Sequence, residues 1–235
     1  MTMDSFLQQL ISFDQSLLLQ LNGSQSLFWD RVMVLVTSTW VSVPMFVVLL
    51  YVLARNCNPR YFGATVLAIA LTILACDQVA SGICKPLFQR FRPTQDPSIM
   101  YFVDVVDGFR GGRYGFMSSH ASNTFGLCVF LSLFFRYRRL TILLIIWATL
   151  STYSRIYLGV HYIGDVLFGC FVGCLFGYIF HRLLIWRSQS WMNSSLRSIS
   201  FDCTSTGVRV SDINWVILSM LFTYAVILII AVLFI

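Results

Sequence analysis

Charge is scarce in this chain. Asp, Glu, Lys and Arg make up 11% of its 235 residues, against about 25% in soluble domains. Histidine is rarer still, with three copies. The charges come singly or in small groups between apolar runs. They never form the blocks of like charge that mark nucleic-acid-binding tails, so no nucleic acid partner is expected. The seven cysteines lack metal-ligand spacing. Cys170 and Cys174 stand four apart with no histidine or second cysteine pair beside them, which leaves packing as their role. Nor is there a carboxylate cluster of the kind that holds a metal ion. Residues 1–30 contain no Lys or Arg, and no small-residue cleavage site follows a short apolar stretch, so a cleaved signal peptide is not expected. Internal repeats and low-complexity tracts are also missing.

Long apolar runs are what the chain does have. Hydrophobic residues, 57% of the total, gather into runs near the ~20 residues that cross ~30 Å of hydrocarbon. They lie at about 32–54 (broken only by Pro44), 62–84, 120–135, 140–157, 163–184 and 213–235. The pattern predicts an all-α fold, a polytopic membrane bundle of about six transmembrane helices. Ahead of it, Phe6, Leu7, Leu10, Ile11, Leu17, Leu18 and Leu21 recur at helical spacing, with Gln8, Asp14 and Gln15 among the residues opposite. This reads as an interfacial amphipathic helix ended by Asn22-Gly23; a true span is the other reading. The chain thus divides into an amphipathic segment at 1–30, a membrane domain carrying the chemistry at 31–185, a Ser- and Arg-rich cytoplasmic linker at 186–212 and a C-terminal transmembrane helix at 213–235.

Sidedness follows from the arginines. Arg55 and Arg60, then Arg136, Arg138 and Arg139, then Arg182, Arg187, Arg197 and Arg209 fall in three loops that share one side of a six-span topology. The positive-inside rule makes that side cytoplasmic. The 85–118 loop and the 156–162 turn face the other way.

Those two outer segments carry nearly all the chemistry-bearing residues. Lys85 is followed by Arg92-Pro93, then Ser118-Ser119-His120, then Ser154-Arg155, His161 and Asp165. Phosphoryl transfer depends mostly on positioning and on stabilising charge over the equatorial oxygens. Arg92 and Arg155 offer planar forks for two oxygens each, and Lys85 a third, point-like cation. His161 and Asp165 are four apart, and if the span begins near His161 they share a helix face. A carboxylate on one ring nitrogen fixes the tautomer and makes the other a better nucleophile. Ser118 and Ser119 open the third span, where hydroxyls and backbone amides can hold phosphate oxygens, and His120 can protonate a leaving oxygen. Asp77, Ser81 and Lys85 lie at i, i+4 and i+8 and share a stripe; Asp77 either supports the site through a cation or hydroxyl or closes helix packing. Arg90, Arg110 and Arg113 lie in the same outer loop, facing either a substrate head group or solvent, and Gly108–Gly115 reads as a flexible, lid-like stretch.

The pattern K-x6-RP, P-S-G-H and S-R-x5-H-x3-D resembles that of the type 2 phosphatidic acid phosphatase (PAP2) superfamily. Lys85, Arg92, Pro93, Ser154, Arg155, His161 and Asp165 match every defined position of the first and third motifs. The second is altered: Met117 stands for Pro and Ser119 for Gly, with Ser118 and His120 kept. The resemblance implies a metal-free, cofactor-free phosphatase. His161 would attack phosphorus, Asp165 orient it, and His120 protonate the leaving group and then activate water. Lys85, Arg92, Ser118, Ser119 and Arg155 would hold the phosphate, with Ser154 and Asp77 behind them. The expected substrate is a lipid phosphate in the outer leaflet: undecaprenyl pyrophosphate, a lipid A phosphate or phosphatidylglycerol phosphate. The expected place is a bacterial inner membrane, with the site facing the periplasm. Transfer of the same phosphoryl group to a lipid acceptor is the alternative. Vanadate-dependent haloperoxidases share the pocket, but they are soluble. Oligomeric state is not legible.

Overall fold

A computed structural model describes residues 3–195 and 203–234. Nine α-helices are described: α1 (Met3–Leu21), α2 (Leu27–Thr37), α3 (Thr39–Asn56), α4 (Pro59–Asp77), α5 (Lys85–Phe88), α6 (Ser119–Phe135), α7 (Arg138–Tyr157), α8 (Ile163–Ser195) and α9 (Val210–Leu233). Five stretches are long and apolar enough to cross a membrane: α3, Pro59–Phe88, α7, Ile163–Ser188 and α9. The shorter apolar α6 makes the sixth.

α6 lies at the centre, packed on α4, α7 and α8, while α9 lies along α3 and touches α2 and α7. Leu53, Phe130, Phe134, Leu144, Ile213 and Met220 form part of the main core. Large apolar side chains on the outer helix faces, among them Leu67, Leu74, Phe171, Phe222 and Ile229, remain exposed. In water so much apolar surface would drive association; against lipid tails it has no such cost. The closest helix pair is α6 with α8. A Cβ on Gly169 would stand 2.6 Å from the Ser118 carbonyl oxygen, and one on Gly173 2.9 Å from the Ser122 Cα. Glycine at these two positions lets the backbones approach as small residues do in membrane bundles.

The first apolar run is not one helix. It breaks at Ser38, which is extended (φ −73°, ψ 122°), whereas Pro44 stays inside α3. Thr37-Ser38-Thr39 are residues whose hydroxyls compete with helical hydrogen bonding. The Pro44 ring opposes the carbonyl four residues before it, which favours a helix that starts only shortly upstream.

The second run starts cleanly, with Pro59 at the first helical position and the Asn58 side chain accepting from Tyr61 N at 2.8 Å. Near its outer end it widens into a π-helical segment, Gln78–Cys84, where the Lys85 N–H donates to the Ala80 carbonyl. Pro86 has no N–H to give and crowds the carbonyl four residues back, which accounts for the wider turn.

The outer loop that follows is pinned at both ends. Phe91 pairs with Tyr114 in an antiparallel bridge. Arg92 N donates to Arg113 O at 3.0 Å, and Gly115 N to Arg90 O at 2.8 Å. Thr94 and Arg110 exchange two further hydrogen bonds. The Gly108–Gly115 stretch is thus tied to the first half of the loop rather than hanging free. At the far end of the bundle, α8 continues through Ser195.

Candidate active site

His161, Asp165, Lys85, Arg92 and Arg155 come from three separate parts of the chain and meet at one end of α6. His161 lies in the turn between α7 and α8 and is 2% exposed. Burial first, then the fields of Arg92, Arg155 and Lys85, hold its imidazole well below the usual range, so the ring is neutral near pH 7. The fields of the three cations thus reach one ring.

α8 begins at Ile163, so His161 precedes the helix instead of sharing a face of it with Asp165. The pair still meets, with His161 Nδ1 3.7 Å from Asp165 Oδ2. That separation is too long for a hydrogen bond, and Nδ1 has no partner. Asp165 sits at the third position of α8 and accepts from Tyr162 N at 3.1 Å. A carboxylate at this position reaching back to the N-cap amide is half of a capping box. The other oxygen accepts from Arg90 Nη1 at 2.8 Å. Arg90 uses its second nitrogen to reach Asp14 of α1, also at 2.8 Å, and Asp14 accepts from Gly164 N at 3.0 Å. Burial alone would lower the Arg90 value; Asp165 and Asp14 outweigh it and raise it.

The phosphate-holding candidates are each fixed from behind. Arg92 donates from Nε to Tyr114 O at 3.1 Å and from Nη1 to Val160 O at 3.4 Å. Gly111 and Gly115 pass close to its side chain, and a Cβ at Gly111 would stand 2.7 Å from Nη1. Arg155 donates to Thr37 Oγ1 at 2.7 Å, while its Nε is buried without a partner. Lys85 Nζ donates to Ser81 Oγ at 2.9 Å and lies 3.4 Å from Ser119 Oγ. Ser81 in turn lies 3.3 Å from Asp77 Oδ1, so the stripe read from the sequence is a hydrogen-bonded line ending on Lys85.

Ser118 is buried and caps α6, accepting from Ala121 N at 3.3 Å. Its hydroxyl is thus engaged with its own helix. Ser154 likewise donates to Ser151 O at 2.7 Å. His120 Nε2 lies 2.8 Å from Ser151 Oγ on α7, and the ring borders a cavity of about 190 Å³ lined by residues of α2, α3, α4, α6 and α7.

Two contributors escaped sequence reasoning. By sequence Arg90 reads as a head-group- or solvent-facing arginine, although it stands inside the K-x6-RP motif, two residues before Arg92. Asp14 had been placed on the polar face of an interfacial helix; no local pattern shows that it pairs across 76 residues.

A bundle of apolar helices that gathers three cations, a buried histidine and a buried carboxylate at one end of α6, with His120 in the first turn of that helix, is the arrangement of a membrane enzyme acting on phosphate. Residues 64–189 match the family model of the PAP2 superfamily. The chain is 42% identical over 173 residues to the lipid A 4'-phosphatase of Bacteroides thetaiotaomicron, covering 73% of this chain and 77% of that one. It is 34% identical over 189 residues to the lipid A 4'-phosphatase of Porphyromonas gingivalis, covering 80% of each. Its fold is similar, with a TM-score of 0.58 at 17% identity, to the transmembrane PAP2-type phosphatidylglycerolphosphate phosphatase of Bacillus subtilis, over 82% of this chain and 90% of that one. The chain belongs to the PAP2 superfamily and is a multi-pass membrane lipid phosphatase.

Proposed function

We propose that this protein removes a phosphate from a phosphorylated sugar lipid of the lipid A type, through a phosphohistidine on His161. The observation that carries the substrate is the likeness to two lipid A 4'-phosphatases over most of the chain. The mechanism rests on the buried, neutral ring beside three cations and Asp165.

Lys85, Arg92 and Arg155 take the phosphoryl oxygens, with the Ser119 hydroxyl next to Lys85 and the N-terminal end of α6 at Ser118. Nε2 of neutral His161 attacks phosphorus. The P–O bond to the leaving group breaks, and His120 gives that oxygen a proton. Positive charge then develops on the His161 ring, and Nδ1–H points at Asp165; the 3.7 Å gap closes to a hydrogen bond as the charge forms. His120, now neutral, takes a proton from water as the water oxygen bonds to phosphorus; the P–N bond to His161 breaks and phosphate leaves. Ser151 sets the His120 ring orientation, Ser154 secures the α7 turn behind it, and Asp77 steadies Lys85 through Ser81.

The loop arginines support a site on the periplasmic side of a bacterial inner membrane. The lipid enters from the outer leaflet.

The test is phosphate release by detergent-purified protein, with EDTA present, from bis-phosphorylated lipid A, undecaprenyl pyrophosphate, phosphatidylglycerol phosphate and phosphatidic acid. Preference for lipid A, lost in His161→Ala, is the expected result. Preference for another lipid overturns the substrate, and full activity of His161→Ala overturns the phosphohistidine. Movement of phosphate to a lipid acceptor without release makes the enzyme a transferase.

A further inference from the structure

The cavity beside His120 adjoins the group that would protonate the leaving oxygen. In-line displacement puts nucleophile and leaving oxygen on opposite sides of phosphorus. His161, Lys85 and Arg92 do not border the cavity, whereas His120 does. Arg155 links the cation cluster to the cavity, because its guanidinium hydrogen-bonds Thr37, a residue of the cavity wall.

The lining is divided. Thr37, Ser42, Asn123 and Ser151 contribute polar groups, Ser151 beside His120, while Phe46 and Trp147 are among the apolar groups. The break at Ser38 turns Thr37 and Ser42 toward the same space from either side. The amide oxygen of Asn123 is buried and has no hydrogen-bond partner. A buried acceptor left without a partner is unfavourable, so an occupant that lets the Asn123 amide turn and pair is favoured over a hydrocarbon tail. The volume of about 190 Å³ is far beyond what one water needs. Sugar rings present hydroxyls at their edges and C–H groups on their faces, which suits a polar rim over aromatic walls.

Resting on the phosphosugar-lipid reading above, we propose that this cavity is a leaving-group pocket for one sugar ring, with Asn123, a polar residue of its wall, as a specificity-determining residue whose side-chain amide turns to hydrogen-bond a polar group beside the reacting oxygen. Glycerol and polyprenyl leaving groups lack that ring. Discrimination between substrates would thus arise in the cavity wall, apart from the residues that hold phosphate.

The experiment measures kcat/KM for bis-phosphorylated lipid A and for phosphatidic acid with the wild type, Asn123→Leu and Ser42→Val. The ratio of the two values is expected to fall at least tenfold in Asn123→Leu and severalfold in Ser42→Val. An unchanged ratio in both variants, with lipid A still cleaved by the wild type, overturns the pocket and leaves the substrate reading intact. No lipid A cleavage by the wild type overturns the substrate reading and the pocket with it. Reading a ratio keeps the test valid where a variant folds in lower yield, and Ser42→Val repeats it from a different helix.

Discussion

Arg90 donates to Asp165 at 2.8 Å, while the catalytic candidate His161 stays 3.7 Å from the same carboxylate. The carboxylate is fully buried, so its charge depends on a partner, and Arg90 supplies it. The second fork of Arg90 holds Asp14, which ties the N-terminal helix to the site.

Removing Arg90 should therefore disable a residue it never replaces. Arg90→Ala is expected to lower kcat about 100-fold and to destabilise the protein by about 3–5 kcal/mol, the usual cost of leaving a buried charge unpaired. Arg90→Lys should recover only part, because one ammonium cannot fork to two carboxylates. Asp14→Asn should cost less than Arg90→Ala. The two changes together should depart from additivity by about 0.5–3 kcal/mol, as for residues in one network. Phosphate release and thermal unfolding in detergent measure each effect.

The line Asp77–Ser81–Lys85 makes a graded prediction. Ser81→Ala removes the hydroxyl 2.9 Å from Lys85 Nζ and is expected to raise KM about threefold to tenfold, as one hydrogen bond of about 0.5–1.5 kcal/mol is lost. Asp77→Asn should act in the same direction and more weakly, being one step further from Lys85. Equal activity of both variants and wild type would remove this line from the site.

Gly169 and Gly63 make a contrasting pair. A Cβ at Gly169 would meet Ser118 O at 2.6 Å and the Ala121 side chain at 3.1 Å, whereas one at Gly63 meets nothing within 4 Å. Gly169→Ala should destabilise by about 1–3 kcal/mol through overpacking. It should also lower kcat, because the contact lies two residues before His120. Gly63→Ala in α4 should stabilise by about 0.5–1 kcal/mol through helix propensity. Melting curves of the two variants provide the check.

His161 gives a pH signature. Its folded value is depressed by burial and by the neighbouring cations. Above the unfolded value of about 6.5 the ring is neutral in both states and costs nothing. Below it the unfolded chain takes up a proton that the folded protein refuses, so stability falls by roughly 1.4 kcal/mol per pH unit until the folded value is reached. His161→Gln lacks this contribution. The gap between variant and wild-type stability is thus expected to shift in the variant's favour as the pH falls from 6.5 to 5, measured by thermal unfolding across that range.

Much of this protein was legible in its residue order. Six apolar runs near the length of a bilayer crossing could only form helices, since lipid offers no partner for an exposed backbone amide. The motif spacing was legible because Lys85, Arg92, Arg155, His161 and Asp165 sit at helix ends and short turns, where local geometry fixes their relative placement. Even the Asp77–Ser81–Lys85 line could be read, as helical periodicity survives the π-helical segment.

The tertiary structure decided what depends on distant segments meeting. The sequence marks Pro44 as a break, yet the chain breaks at Ser38, between α2, which packs on α7 and α9, and α3, which packs mainly on α9. The partners of Arg90, the closeness of α6 and α8 and the cavity beside His120 each join residues far apart along the chain. Sequence by itself determined the helices and the set of reacting groups, because both follow from short-range rules. Only packing decided which carboxylate each cation faces and which helices wall the space behind His120, because those choices minimise buried unpaired charge across the whole bundle.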